Sequence, residues 1–128
     1  MTKTDPGLNR DKDREERITM EIVADAYGPV EQAMGWYYYL EEKLTFPFTA
    51  VCNAKRANSP LQVQDEVDVI GMAPEEECEK EMFVTIRWEM EGLAIPLSQL
   101  IPIGTTATQT KEAVEDWHYW VKMGYPFG

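Results

Sequence analysis

Five glutamates occupy seven positions in Glu75-Glu76-Glu77-Cys78-Glu79-Lys80-Glu81. Carboxylates packed this densely repel one another, raise one another's pKa, and attract cations. A second pair, Glu41 and Glu42, closes the stretch Gly28-Pro29-Val30-Glu31-Gln32-Ala33-Met34-Gly35-Trp36-Tyr37-Tyr38-Tyr39-Leu40-Glu41-Glu42-Lys43-Leu44. That stretch reads as one amphipathic helix, and its C-terminus already carries partial negative charge, so acids there are disfavoured. At about 100° per residue, Val30, Ala33, Met34, Tyr37, Leu40 and Leu44 form one apolar face, and Glu41 falls inside it while Glu42 points outward. A carboxylate at the rim of a core needs a partner, either a basic side chain or a cation from solution. Hard cations such as Ca²⁺ take six to eight oxygen ligands, and the candidate ligands are Glu41, Glu42, Glu75, Glu76, Glu77 and Glu79.

Other chemistries find less support. An EF-hand needs acids at alternate positions, a Gly at the sixth and a Glu at the twelfth. Counting from Asp11 puts Ile22 at the twelfth position, and counting from Asp65 puts Val67 where an oxygen is required. Zinc is poorly served by a single histidine, His118, with no Cys or His cluster; a packed, hydrogen-bonded imidazole is the simpler expectation. Gly28, Gly35 and Gly71 are isolated and make no phosphate loop. No spacing singles out a nucleophile with its base, so no enzymatic activity is expected.

The net charge is −11 over 128 residues, and it is unevenly placed. Residues 1–17 balance five acids against five bases, residues 18–44 carry a net −4, and residues 65–91 a net −8. Neutralising phosphates requires clustered Lys and Arg, so nucleic acid is not an expected partner, whereas calcium ions or a basic protein segment are. No apolar run reaches the roughly 18 residues of a membrane span, and the polar start is not a secretory signal. Cys52 and Cys78 lack CxxC spacing and fit reduced thiols of a cytoplasmic protein.

The elements that would position these acids follow from periodicity. Residues 1–13 read as a tail and residues 14–128 as one domain. Ile18, Met20, Ile22 and Ala24 would suit a strand, but the good helix formers before them favour a helix. Gly28-Pro29 starts the next helix, and Phe46-Pro47-Phe48 cannot continue it. Short strands are expected at 49–53, 66–70, 82–90, 93–97 and 101–103, with turns at Glu91-Gly92 and Ser98-Gln99-Leu100. Val114, Trp117 and Val121 mark a final helix over 110–123. Of the four clustered aromatics Trp36, Tyr37, Tyr38 and Tyr39, three should be buried where their own helix is laid on the barrel. The whole is an α+β domain: helical over 14–44, a small SH3-like β-barrel of about five short strands over 49–103, and a C-terminal helix.

Met34-Gly35-Trp36-Tyr37-Tyr38-Tyr39-Leu40-Glu41-Glu42-Lys43-Leu44, Phe46-Pro47-Phe48, Glu66-Val67-Asp68-Val69-Ile70-Gly71-Met72 and Asp116-Trp117-His118-Tyr119-Trp120 together resemble the small cyanobacterial calcium-binding protein family, the CcbP family. The likeness runs from about Ile18 to Tyr125. It implies a cytosolic acidic protein that binds and buffers Ca²⁺ without an EF-hand. It also implies an acidic ligand at the end of the Met-Gly-Trp helix, which maps to Glu42, with Glu41 beside it and Lys43 next as an internal counter-charge. The rival expectation is an SH3-like interaction module whose acidic face holds a basic protein segment.

Overall fold

The computed structural model describes residues 11–57 and 59–127. The expected tail over 1–13 therefore lies mostly outside the described residues, but its last residues are helical. Helix α1 spans Lys12–Arg17 and is capped by Asp11, whose side chain accepts from the Arg14 backbone N–H at 3.0 Å. It runs directly into a π-helical turn, Ile18–Ile22, which buries Ile18 and Ile22. The helical alternative for this stretch is the correct one. Helix α2, Pro29–Lys43, starts with Pro29 in its first turn. The Glu31 carboxylate accepts from the backbone N–H groups of Tyr27 and Gly28, two donors the helix itself cannot satisfy.

Five strands follow: β1 Phe48–Cys52, β2 Glu66–Met72, β3 Phe83–Trp88, β4 Glu91–Pro96 and β5 Leu100–Pro102. All pairs are antiparallel, in the order β4-β3-β2-β1-β5. Alternation along β2 buries Val67 and Val69 and exposes Glu66, Asp68 and Ile70, as a half-buried strand requires. The five strands are where the alternation places them to within a few residues, and a one-turn 3₁₀ helix, Leu97–Gln99, separates the last two. The closed barrel is not: β4 and β5 lie at opposite ends of one open sheet. The expected turn at Glu91-Gly92 is also displaced. Trp88 pairs with Glu91, so the turn residues are Glu89 and Met90, with Glu89 at φ 52°.

Helix α3, Thr108–Lys122, lies across α2 and the end of the sheet. Its buried side is Thr110, Ala113, Val114, Asp116, Trp117 and Trp120, whereas Val121 points to solvent. Trp36 of α2 meets Trp117 edge-on at 5.0 Å between centroids and Trp120 at 5.5 Å. Each such pair adds about 0.5–1.5 kcal/mol beyond the area it buries. No helix among the described residues is long and apolar enough to cross a membrane.

Candidate metal site

Three consecutive tyrosines fix the end of α2. Successive helical positions point about 100° apart, so Tyr37 and Tyr38 reach two points of the 73–75 segment while Tyr39 reaches α3. Tyr37 donates to the Ala73 carbonyl at 2.8 Å, Tyr38 to Glu75 Oε2 at 3.1 Å, and Tyr39 to Asp116 Oδ2 at 2.7 Å. Trp36, Tyr37 and Tyr39 are buried and Tyr38 is exposed, the expected three of four. Tyr39, which lies nearly opposite Tyr37 on the helix, is buried because it packs against a second element, α3.

The helical wheel placed Glu41 half in the core, and the structure corrects this: Glu41 and Glu42 are both exposed. The physical cause is the indole cluster. Trp36 packs on Trp117 and Trp120, which turns α2 so that Trp36, Tyr39 and Leu40 face inward and Val30 is left 70 % exposed.

The acidic loop is better ordered than its composition suggests. Glu75–Cys78 forms one 3₁₀ turn after Pro74. Cys78 anchors it from below, fully buried, with Sγ 3.4 Å from the Phe83 N–H and 3.5 Å from the Phe83 carbonyl. Burial pushes the Cys78 thiol above its usual range, and the nearby Glu77 and Glu75 charges push the same way, so it stays neutral. Glu75, Glu76, Glu77 and Glu79 are all exposed. Glu76, Glu77 and Glu79 share a shallow surface cleft with Lys80, Glu81 and Phe83.

The two acidic segments meet at the tyrosines. The Tyr38 phenol is held above its ordinary pKa first by its hydrogen bond to Glu75 and then by the Glu75 charge, with Glu41 adding to it. Tyr37 is raised by burial first, then by Glu41, with Cys78 and Glu75 contributing. Glu41 from α2 and Glu75 from the 3₁₀ turn therefore act on the same two phenols. Glu42, Glu76, Glu77 and Glu79 lie on the same two elements, but the structure does not converge them on that point. Among the described residues no three His, Cys, Asp or Glu side chains are close enough to form a ready-made metal cage.

None of the six glutamates forms an ion pair among the described residues. Lys43, the adjacent cation, sits 6.0 Å from the centroid of the Tyr39 ring instead. The donor set is all oxygen, carried on flexible exposed side chains, which suits a hard cation that tolerates irregular coordination.

A second polar constellation is absent from the sequence reading. Asp116 is completely buried and accepts four hydrogen bonds. Arg14 Nε donates to Oδ1 at 2.8 Å, Arg17 Nη2 to Oδ1 at 2.7 Å, Arg17 Nε to Oδ2 at 3.1 Å, and Tyr39 to Oδ2 as above. With its lone pairs taken and no access to water, this carboxylate is a clamp between α1, α2 and α3 and not a ligand. The available signal was Arg14 and Arg17 at helical i, i+3 spacing, but nothing in the chain names their partner. His118 is packed as expected: Nε2 donates to the Leu100 carbonyl at 2.7 Å, and burial lowers its pKa.

Fold and site together define a small acidic α+β protein with six exposed glutamates at the end of one helix and in the acidic turn segment. Residues 16–121 match the model of the CcbP family, described as calcium binding. The crystal structure of Anabaena CcbP is 40 % identical in sequence, superposes with a TM-score of 0.83, and is matched over 94 % of this chain and 98 % of that one. A calcium binding protein solved in its calcium-binding form is 37 % identical, with a TM-score of 0.81 over 95 % of this chain and 98 % of that chain. No curated protein matches the chain. The chain belongs to the CcbP family of calcium-binding proteins.

Proposed function

We propose that this chain binds Ca²⁺ without catalysing a reaction, acting as a buffer or sensor through the carboxylates where α2 meets the acidic 3₁₀ turn. The observation that carries this reading is the Tyr38 hydrogen bond that ties the end of α2 to Glu75 of the acidic turn, with neither Glu41 nor Glu75 in an ion pair among the described residues. Glu42 at the helix end and Glu76, Glu77 and Glu79 on or beside the turn would supply further oxygens once their exposed side chains move toward an ion. The C-terminus of α2 adds roughly half a negative charge to the same field. Mg²⁺ demands near-ideal octahedral geometry and dehydrates reluctantly, so an adaptable set of exposed carboxylates favours Ca²⁺. The two buried free thiols, Cys52 and Cys78, support a reducing, cytoplasmic setting. No observation favours the rival reading of a module that holds a basic protein segment.

Calorimetric titration with CaCl₂ and MgCl₂ at physiological salt tests the proposal. Saturable Ca²⁺ binding is expected, with a rise in melting temperature, since an ion at about 100 times its Kd stabilises the fold by about 2.7 kcal/mol. The E41Q/E42Q and E75Q proteins should each bind Ca²⁺ about tenfold or more weakly. Absence of both saturable heat and thermal stabilisation rejects the calcium reading. Undiminished affinity in both variants, with loss in E76Q/E77Q/E79Q, moves the site along the turn.

A further inference from the structure

We propose that Tyr38 is a positioning residue for calcium binding: its phenol holds one oxygen of Glu75 so that the other stays turned toward the ion. The inference rests on the reading of Glu75 as a ligand and assigns a role to a residue that is not itself one.

Three observations carry it. First, Tyr38 is not a core residue. It is 54 % exposed, flanked on α2 by two buried tyrosines, and yet its hydroxyl reaches across to another element instead of remaining in water. Its ring packs edge-on against Tyr37, 5.7 Å between centroids with the planes at 88°, in the orientation from which the hydroxyl reaches Glu75. Second, the backbone beneath Glu75 is already fixed. Tyr37 holds the Ala73 carbonyl, Pro74 enters the turn, and Cys78 buries the turn's far end. The Glu75 side chain itself is exposed, and its carboxylate accepts the Tyr38 hydrogen bond. Third, that contact takes Oε2 alone. A carboxylate that uses one oxygen on a metal and the other on a neighbouring donor is the usual arrangement around protein-bound ions, and loss of such a donor weakens metal affinity by roughly 10- to 100-fold at enclosed sites. Here the phenol is half in water, so the expected loss is smaller, about three- to tenfold.

The test is a double-mutant cycle on Ca²⁺ affinity with wild type, Tyr38→Phe, Glu75→Gln and the double variant, each checked for an unchanged melting temperature without calcium. Tyr38→Phe removes only an exposed hydroxyl, so the fold should persist. The expected result is an affinity loss of about three- to tenfold for Tyr38→Phe that disappears in the Glu75→Gln background, a coupling that a merely structural role would not produce. If Glu75→Gln weakens binding and Tyr38→Phe does not, or if the Tyr38→Phe loss persists in full without Glu75, the positioning role is wrong while the site stands. If Glu75→Gln has no effect, the reading of Glu75 as a ligand falls and the role of Tyr38 falls with it.

Discussion

Replacing Asp116 by Asn should destabilise the protein by about 3 kcal/mol. The carboxylate is wholly buried and faces two guanidinium groups, whose side chains are 22 % and 23 % exposed for Arg14 and Arg17. Removing one partner of a buried ion pair typically costs about 3–5 kcal/mol, because the remaining charge stays desolvated without compensation. The lower end applies here for two reasons. Water reaches about a fifth of each arginine, and each keeps a second acid: Arg14 has Glu115 at 3.2 Å and Arg17 has Glu112 at 3.9 Å. The Arg17 guanidinium is held still more firmly protonated by its hydrogen bond to Asp116, so the substitution strips a counter-ion from a group that cannot neutralise itself. At about 3–5 °C per kcal/mol for a domain of this size, the melting temperature should fall by about 10–15 °C. The effect should also be local. Helix α1 contains no buried residue of its own and is tied to α3 by the Asp116 clamp together with Tyr119, which donates to Glu15 at 2.6 Å and accepts from the Asp11 N–H at 3.1 Å. Trypsin should therefore cut after Arg14 and Arg17 faster in the Asp116→Asn protein, under conditions where the core stays folded. A loss below about 1 kcal/mol by urea unfolding, with unchanged tryptic cleavage at these arginines, would refute the clamp.

Two further perturbations probe the frame around the site. A Cβ at Gly35 would lie 2.3 Å from the Ile22 carbonyl oxygen, a backbone atom of the π-helical turn. Gly35→Ala should thus cost about 2–3 kcal/mol by forcing the two segments apart, although alanine is the better helix former by about 1 kcal/mol; an unchanged or raised urea midpoint would contradict this packing. Burial lowers the pKa of His118, with Lys111 and Glu115 the charged groups beside it. The fold favours the neutral imidazole, so its contribution is present above the unfolded pKa of about 6.5 and is lost as pH falls through the folded value. His118→Gln should flatten the decline in urea midpoint between about pH 7 and pH 5, and parallel curves for the two proteins would show that His118 is not responsible.

Local patterns were legible in the sequence and tertiary choices were not. Alternation in Val67/Val69 and in Met82/Val84/Ile86 marks β2 and β3 because a half-buried strand has period two. The proline pair and the apolar period mark α2. Which side of α2 is innermost is a different matter. A wheel weighs Val30 and Tyr37 equally with Trp36, whereas packing against two further indoles decides in favour of Trp36 and turns Glu41 outward. Asp116 was hidden for the same reason, since its partners lie about 100 positions away and no local rule distinguishes a clamped aspartate from a solvated one. Sheet closure depends on how far the edge strands β4 and β5 curl, which short strands with turn signals do not encode.

The candidate ligands stand out through what surrounds them more than through their own number. Every described arginine is already committed: Arg14 and Arg17 to Asp116, Arg56 to Glu81 at 2.8 Å, and Arg87 to Asp68 at 3.7 Å. Other acids serve the backbone, Glu31 at the start of α2 and Asp65 at the Gln62 N–H. Lys43 lies over an aromatic ring. The described arginines thus pair with acids elsewhere, and Glu41, Glu42 and the glutamates of the 3₁₀ turn form no ion pair among the described residues, although they lie by a helix C-terminus, where negative charge is least tolerated. Tyr37 and Cys78 nevertheless bind that turn firmly to α2 and the sheet. A fold that only needed to shed this repulsion would let the two acidic segments separate. Holding them together makes sense when a cation from solution completes the charge balance, which is why the same glutamates that look like a local violation of helix electrostatics are the ones to test first with calcium.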